Sequence, residues 1–151
     1  MRRHLVVGSQ TLLSARLLRE LRARQADGPC RFHVVVPAAN PHVHAFWTEG
    51  EARAVAQERL DAALEHFRAE EIDVTGSIGD ANPADAVADL LLHEEFDSVI
   101  VSTLPPGLSR WIHQDLPRRI ERRVAVPVSH VITPFGDLKP EGQRQLQNSA
   151  H

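Results

Sequence analysis

The side chains best equipped for chemistry lie between Ser102 and Asp115, in the stretch STLPPGLSRWIHQD. Hydroxyls at Ser102, Thr103 and Ser109, the Arg110 guanidinium, the His113 imidazole and the Gln114 amide gather donors in a short span. That inventory suits an anion, and Arg110 is the strongest candidate contact, because a guanidinium can grip a phosphate with two parallel hydrogen bonds. Pairing with Asp115 is its alternative use. Two prolines and Gly107 forbid regular structure here, so the stretch reads as a loop. The segment before it, Ser98-Val99-Ile100-Val101 after Asp97, is a β-branched run of the kind buried on both faces of a parallel sheet. After the loop, Asp115 reads as a helix N-cap, with Pro117 in the first turn and Arg118, Arg119, Arg122 and Arg123 along one side. A loop at the carboxyl end of a parallel strand, followed by a helix start, is where open α/β sheets bind ligands, often anionic ones.

Two readings of Ser102 to Gln114 stand side by side: an anion or nucleotide pocket, and a rigid capping loop with no ligand. Trp111 divides similarly, between a core or dimer-interface aromatic and a platform on which a base stacks. The four arginines after Asp115 are interrupted by Glu121 and read as a solvated face. Catalysis finds little support, since the chain has no G-x-S-x-G elbow, Walker loop or pyrophosphatase-type SGGxDS loop. An acid–base pair of His113 with Asp115 is the enzymatic alternative. Among nine histidines only His42 and His44 are close together, and no metal-ligand spacing occurs. The single cysteine, Cys30, excludes an internal disulfide and reads as packed in a strand.

The elements that would carry this loop alternate regularly. His4 to Val7 is a short apolar strand, and Gly8-Ser9-Gln10-Thr11 turns it into a helix with Leu13, Leu17, Leu18 and Leu21 at helical spacing, ended by Gly28-Pro29. Phe32 to Val36 is a second strand. The loop from Pro37 to Trp47 follows, and Thr48-Glu49-Gly50-Glu51 is a capping-box pattern before a long helix whose apolar face is Ala52, Val55, Ala56, Leu60, Ala63, Leu64 and Phe67. A third strand spans Ile72 to Ile78. Asn82-Pro83-Ala84-Asp85 has the cap, proline and acid of a helix start, with Val87, Leu90 and Leu91 on the buried face. A last strand runs from Pro127 to Ile132. Five strands alternating with four helices predict an α/β sheet of mostly parallel strands joined by right-handed crossovers.

Composition sets the outer limits. The 151 residues make one domain over 1–133, followed by a polar, Gly/Pro/Gln/Asn-bearing tail over 134–151. A formal charge of −3 gives no prompt for nucleic acid, and Leu5-Val6-Val7 is too short for a signal-peptide core or membrane span, so the expected setting is the cytoplasm, with no membrane partner.

Read together, these residues resemble the universal stress protein family, small domains of the adenine-nucleotide α-hydrolase-like superfamily, over about His4 to Ile132. The resemblance is carried by the strand–helix order, by Gly79-Asp80 followed by Pro83 and Ala86, by Asp97 to Val101, and most of all by Gly107-Leu108-Ser109-Arg110 with Pro127-Val128 downstream. It implies a Rossmann-like open sheet in the order 3-2-1-4-5, helices on both faces, and a nucleotide site between the first and fourth strands. Gly8, Ser9 and Gln10 would border that site if they are more than a strand-to-helix turn. Val36 and Pro37 would end the second strand where family members offer backbone groups to adenine, if they are more than core.

The sequence also departs from the family. ATP-binding members carry G-x2-G-x9-G-[ST], with amides closing on phosphates. Here Ser102 falls near the first glycine, Leu104 or Pro105 near the second, and Gln114-Asp115 replace the final Gly-Ser. Proline offers no amide, and Asp115 would repel a triphosphate. Ser9 stands where the family's first-strand aspartate is usual. The expected function is a regulator that binds ATP, ADP, AMP or a related small anion through Gly8, Ser9, Gln10, Val36, Pro37, Ser102, Thr103, Gly107, Ser109, Arg110, Gln114 and Asp115. It would act as a homodimer through Pro127 to Ile132. A ligand-free dimeric interaction module and a nucleotide hydrolase or transferase are the alternatives.

Overall fold

The computed structural model describes residues 1–39, 48–105, 107 and 115–138. Its strands are β1 (Arg2–Val7), β2 (Cys30–Pro37), β3 (Val74–Gly79), β4 (Ser98–Thr103) and β5 (Val128–Ile132). The helices between them are α1 (Ala15–Ala26), α2 (Glu49–Ala69), α3 (Pro83–His93) and α4 (Leu116–Glu121). All five strands form one parallel sheet in the order β3-β2-β1-β4-β5.

Successive strand residues point to opposite faces, which divides the core in two. On one face Val6, Val34, Val36 and Ile100 pack with Leu17 and Leu21 of α1 and Ala56, Leu60, Ala63 and Phe67 of α2. On the other, Leu5, Val7, Val35, Val99 and Val101 pack with Ala84, Ala86 and Val87 of α3 and Leu116 and Ile120 of α4. Central strands buried on both faces need apolar runs rather than alternation, and β1, β2 and β4 have them. Truncating one of the large buried side chains, such as Leu60 or Phe67, removes about 2–5 kcal/mol.

Helix starts follow local chemistry. Thr48 Oγ1 accepts from Glu51 N at 3.1 Å, and Asn82 Oδ1 accepts from Ala84 N and Asp85 N at 3.0 and 3.3 Å. Helix α1 begins later than the leucine spacing predicts. Ser14 is its cap, its hydroxyl accepting from Leu17 N at 3.1 Å, so residues 9–13 form a turn in which Leu12 is buried and Leu13 is 38% exposed. Asp115 precedes α4 but does not cap it. Its φ of 53° is left-handed, and its side chain makes no cap hydrogen bond. Because α4 has only six residues, Arg122 and Arg123 lie beyond it, and Arg123 pairs with Asp85 of α3 at 2.6 Å.

Beyond β5 the backbone keeps contact with the domain. Thr133 N donates to Thr103 O at 2.9 Å, Thr133 Oγ1 donates to Ser14 Oγ at 3.0 Å, and a 3-10 turn at Phe135–Asp137 brings Asp137 to 3.7 Å from Arg16. At β3, Gly79 permits a close approach: a Cβ there would stand 2.6 Å from Ala86 Cβ and 2.8 Å from Val35 Cγ2. No helix among the described residues is long and apolar enough to cross a membrane.

Candidate functional site

The order β3-β2-β1-β4-β5 makes β1 the strand from which the sheet grows in both directions. Connections leaving β1 and β4 therefore depart on opposite faces, and their carboxyl ends leave a crevice between them. The turn after β1 borders it. Gly8 and Thr11 are buried and Ser9 and Gln10 are half-buried.

Two hydrogen bonds fix this turn. Thr11 Oγ1 lies 2.5 Å from Ser102 Oγ, both residues being almost wholly buried, so the hydroxyls satisfy one another across the β1–β4 seam. Ser9 Oγ accepts from Arg59 Nη1 at 2.7 Å, a reach of fifty residues from the middle of α2. Burial pulls the Arg59 pKa below its ordinary value, the carboxylate of Glu58 opposing that shift. Gly8 is tightly enclosed, since a Cβ there would meet Leu12 Cδ2 at 2.6 Å and Ser102 Cβ at 3.5 Å.

The neighbouring hydroxyl behaves differently. Thr103 follows Ser102 in the strand and so faces the other side of the sheet, where its Oγ1 lies 2.7 Å from His130 Nε2 of β5. Burial lowers the His130 pKa. Val36 and Pro37 are buried at the end of β2, and the ladder continues past them through Ala38 N to Gly79 O at 3.1 Å.

With this geometry, the sheet order and both helical layers match known structures. The chain superimposes on a universal stress protein in complex with cAMP with a TM-score of 0.56 and 21% identity, over 87% of this chain and 97% of that one. It superimposes on the Archaeoglobus fulgidus universal stress protein in complex with dAMP with a TM-score of 0.55 and 16% identity, over 87% and 97%. For an Arabidopsis thaliana universal stress protein family protein with AMP bound the values are 0.63 and 9%, over 94% and 98%. This is the universal stress protein fold. No protein-family profile matches the sequence, and no curated protein does.

Within the universal stress protein fold, the expected site residues separate into groups. Ser9 is joined to α2, Ser102 to the β1 turn, and Thr103 to β5. Gly107 is exposed with a φ of 90°, a conformation that suits glycine, and Asp115 is exposed at the start of α4. Ser109, Arg110 and Gln114 lie outside the described residues, as do Trp111, His113, His42 and His44. Among the described residues, no group of three His, Cys, Asp or Glu side chains could hold a metal ion.

Arg59 is the residue that sequence reasoning missed. The apolar stripe of α2 directs attention to Ala56 and Leu60, yet Arg59 falls three residues after one and four after Val55, on the stripe's border. A cation on the edge of an apolar face, beside a strand-end turn, was the available signal.

A second polar group lies at the opposite, amino-terminal edge of the strands. His4 Nδ1 is 2.6 Å from Ser98 Oγ, and Arg24 of α1 donates to Ser98 Oγ at 3.0 Å and to Ser129 Oγ at 2.9 Å. His4 and Ser98 are buried. This network ties α1 to β4 and β5, and its burial gives it a structural role.

Proposed function

We propose that the chain is a universal-stress-protein-like regulatory domain of the cytoplasm that binds an adenine nucleotide or a related small anionic ligand at the β1/β4 switch point, and that it acts as a homodimer. The observation that carries the ligand is the switch in strand order, at which such sheets leave a crevice: β1 is flanked by β2 and β4, and the Gly8–Thr11 turn sits at its carboxyl end. Similar folds have been solved with cAMP, dAMP and AMP, which adds support for a nucleotide. The site would draw on Gly8, Ser9, Gln10, Val36 and Pro37, with Ser102, Thr103, Gly107, Ser109, Arg110, Gln114 and Asp115 from the β4 side. For the dimer, β5 is an edge strand with Ile132 37% exposed, a surface able to pair with its symmetry mate.

Native mass spectrometry of gently purified protein tests both parts, followed by calorimetry with AMP, ADP and ATP. A retained adenine nucleotide, or saturable binding of any of the three, upholds the ligand. An empty protein that binds none overturns it, and a monomer at all concentrations overturns the dimer.

The Thr11–Ser102 bond favours a second reading. Two hydroxyls at the heart of the crevice are spent on one another, as befits a ligand-free interaction module. Turnover of ATP or AMP, lost on replacing His113 and Asp115, would instead support a hydrolase or transferase.

A further inference from the structure

Six arginines among the described residues meet carboxylates. Arg3, Arg16, Arg24, Arg31 and Arg123 have Glu94, Asp137, Glu20, Asp73 and Asp85 within 4 Å, and Arg22 pairs with Glu70. Arg59 is set deeper than most of them, and no ion pair among the described residues includes it. Glu58, the acid that acts on it, is adjacent in sequence, and helix geometry turns adjacent side chains about 100° apart, so it does not face the same partner. The hydrogen bond that Arg59 makes is to a neutral oxygen, Ser9 Oγ.

A partly desolvated cation costs free energy unless an anion or several acceptors meet it. One guanidinium N–H is occupied by Ser9, leaving four of five. The Ser9 hydroxyl accepts that bond and keeps its own hydrogen to donate. Arg59 and Ser9 thus offer several donors to one small anionic group, at the carboxyl end of β1.

The charges carried by that edge of the sheet bear on the size of that group. Asp80 follows β3 and Asp115 precedes α4, so both belong to the same edge of the sheet, and both are exposed. One cation at this turn, on an edge of the sheet that also carries two carboxylates, suits a single phosphate better than the larger charge of a triphosphate.

We infer that Arg59, oriented by Ser9, is the anion-reading residue of the switch-point site and selects ligands bearing one phosphate group over those bearing three. This rests on the ligand position proposed above, and it names both the ligand class and a residue of α2 that reads it.

The test is calorimetry on the full chain with AMP, ATP and adenosine, comparing the native protein with Arg59→Gln and Ser9→Ala, each checked for an unchanged thermal melt. AMP should bind more tightly than ATP, and Arg59→Gln should weaken AMP on the order of tenfold or more while leaving adenosine within about twofold. Arg59→Lys should recover only part of the loss, because an ammonium lacks the fork. Equal AMP affinity in Arg59→Gln, or tighter binding of ATP than AMP, overturns the inference while leaving the nucleotide site standing. If no adenine compound binds at all, the nucleotide reading fails. The anion subsite is then judged with inorganic phosphate by amide NMR: a saturable shift at Ser9 that Arg59→Gln abolishes upholds it, and no such shift overturns it.

Discussion

Thr11 Oγ1 and Ser102 Oγ stand 2.5 Å apart, joining the turn after β1 to the end of β4 with both residues buried. Each hydroxyl has given up water, and each recovers a hydrogen bond only through the other. The pair acts as a stitch across the two strands that bound the crevice, and it fixes the turn from which Ser9 meets Arg59.

Ser102→Ala and Thr11→Val should each destabilise the fold by about 1–3 kcal/mol, because each leaves a buried hydroxyl or its site unpaired. The double variant should be less unstable than the sum. Urea unfolding of all four proteins gives the coupling, expected at about 0.5–3 kcal/mol. Additive losses would show that the hydroxyls do not depend on one another.

Three histidines make the fold sensitive to mild acid. Burial lowers the pKa of His4, helped by Arg24; burial also lowers His33 and His130. In each case the unfolded chain takes up a proton more readily than the folded one, so stability is fully present above the ordinary histidine value of 6.5 and is lost as pH falls below it toward the folded values. Urea midpoints measured between about pH 8 and 5 should fall toward the acid side. His4→Gln should flatten part of that slope, and an unchanged slope would exclude His4 as a contributor.

Gly79→Ala should cost about 1–3 kcal/mol by overpacking, since the new methyl would fall against Ala86 and Val35 at 2.6 and 2.8 Å. Thermal unfolding is the readout. A paired Ala86→Gly should recover part of the loss.

Helix caps separate sharply in this chain. Asn82→Ala removes the acceptor for two α3 amides and should cost about 1 kcal/mol. Asp115→Gly removes no cap bond and places glycine where the φ is 53°, so chemical denaturation should show no loss of stability.

Much of the fold was legible because its signals are local. The apolar runs at β1, β2 and β4, the Thr48 and Asn82 caps and the α2 stripe each settle their element from neighbouring residues. The sheet order was not readable in that way. It came from resemblance, carried by the strand–helix order, by Gly79-Asp80 followed by Pro83 and Ala86, and most of all by Gly107-Leu108-Ser109-Arg110 with Pro127-Val128. The Asp115 cap failed because an aspartate that adopts a left-handed φ no longer aims its carboxylate at the first-turn amides. Ser14 prevailed at α1 because it serves two partners, Leu17 N and Thr133 Oγ1, the second of which is 119 residues away. Of the site, Ser9 and Ser102 were legible as polar residues at strand ends. Their pairing with Arg59 and Thr11 depends on tertiary placement: the border position of Arg59 on the α2 stripe is a local signal, but its partner is fifty residues away.

The parallel register His4↔Ser98 joins residues 94 positions apart, and it puts the earliest of the sheet's five strands at its centre. During synthesis β1 can pair on one side once β2 has emerged, but its other edge must wait for β4. Until then Leu5, Val6 and Val7 present an unpaired apolar edge to the cell. Closing that edge demands a long loop of chain, which makes it a slow step and the interval of greatest exposure to aggregation. The seam that completes the crevice thus closes the inner edge of β1, while β4 in turn waits for β5, so chaperone demand should fall in two steps, at Thr103 and again at Ile132.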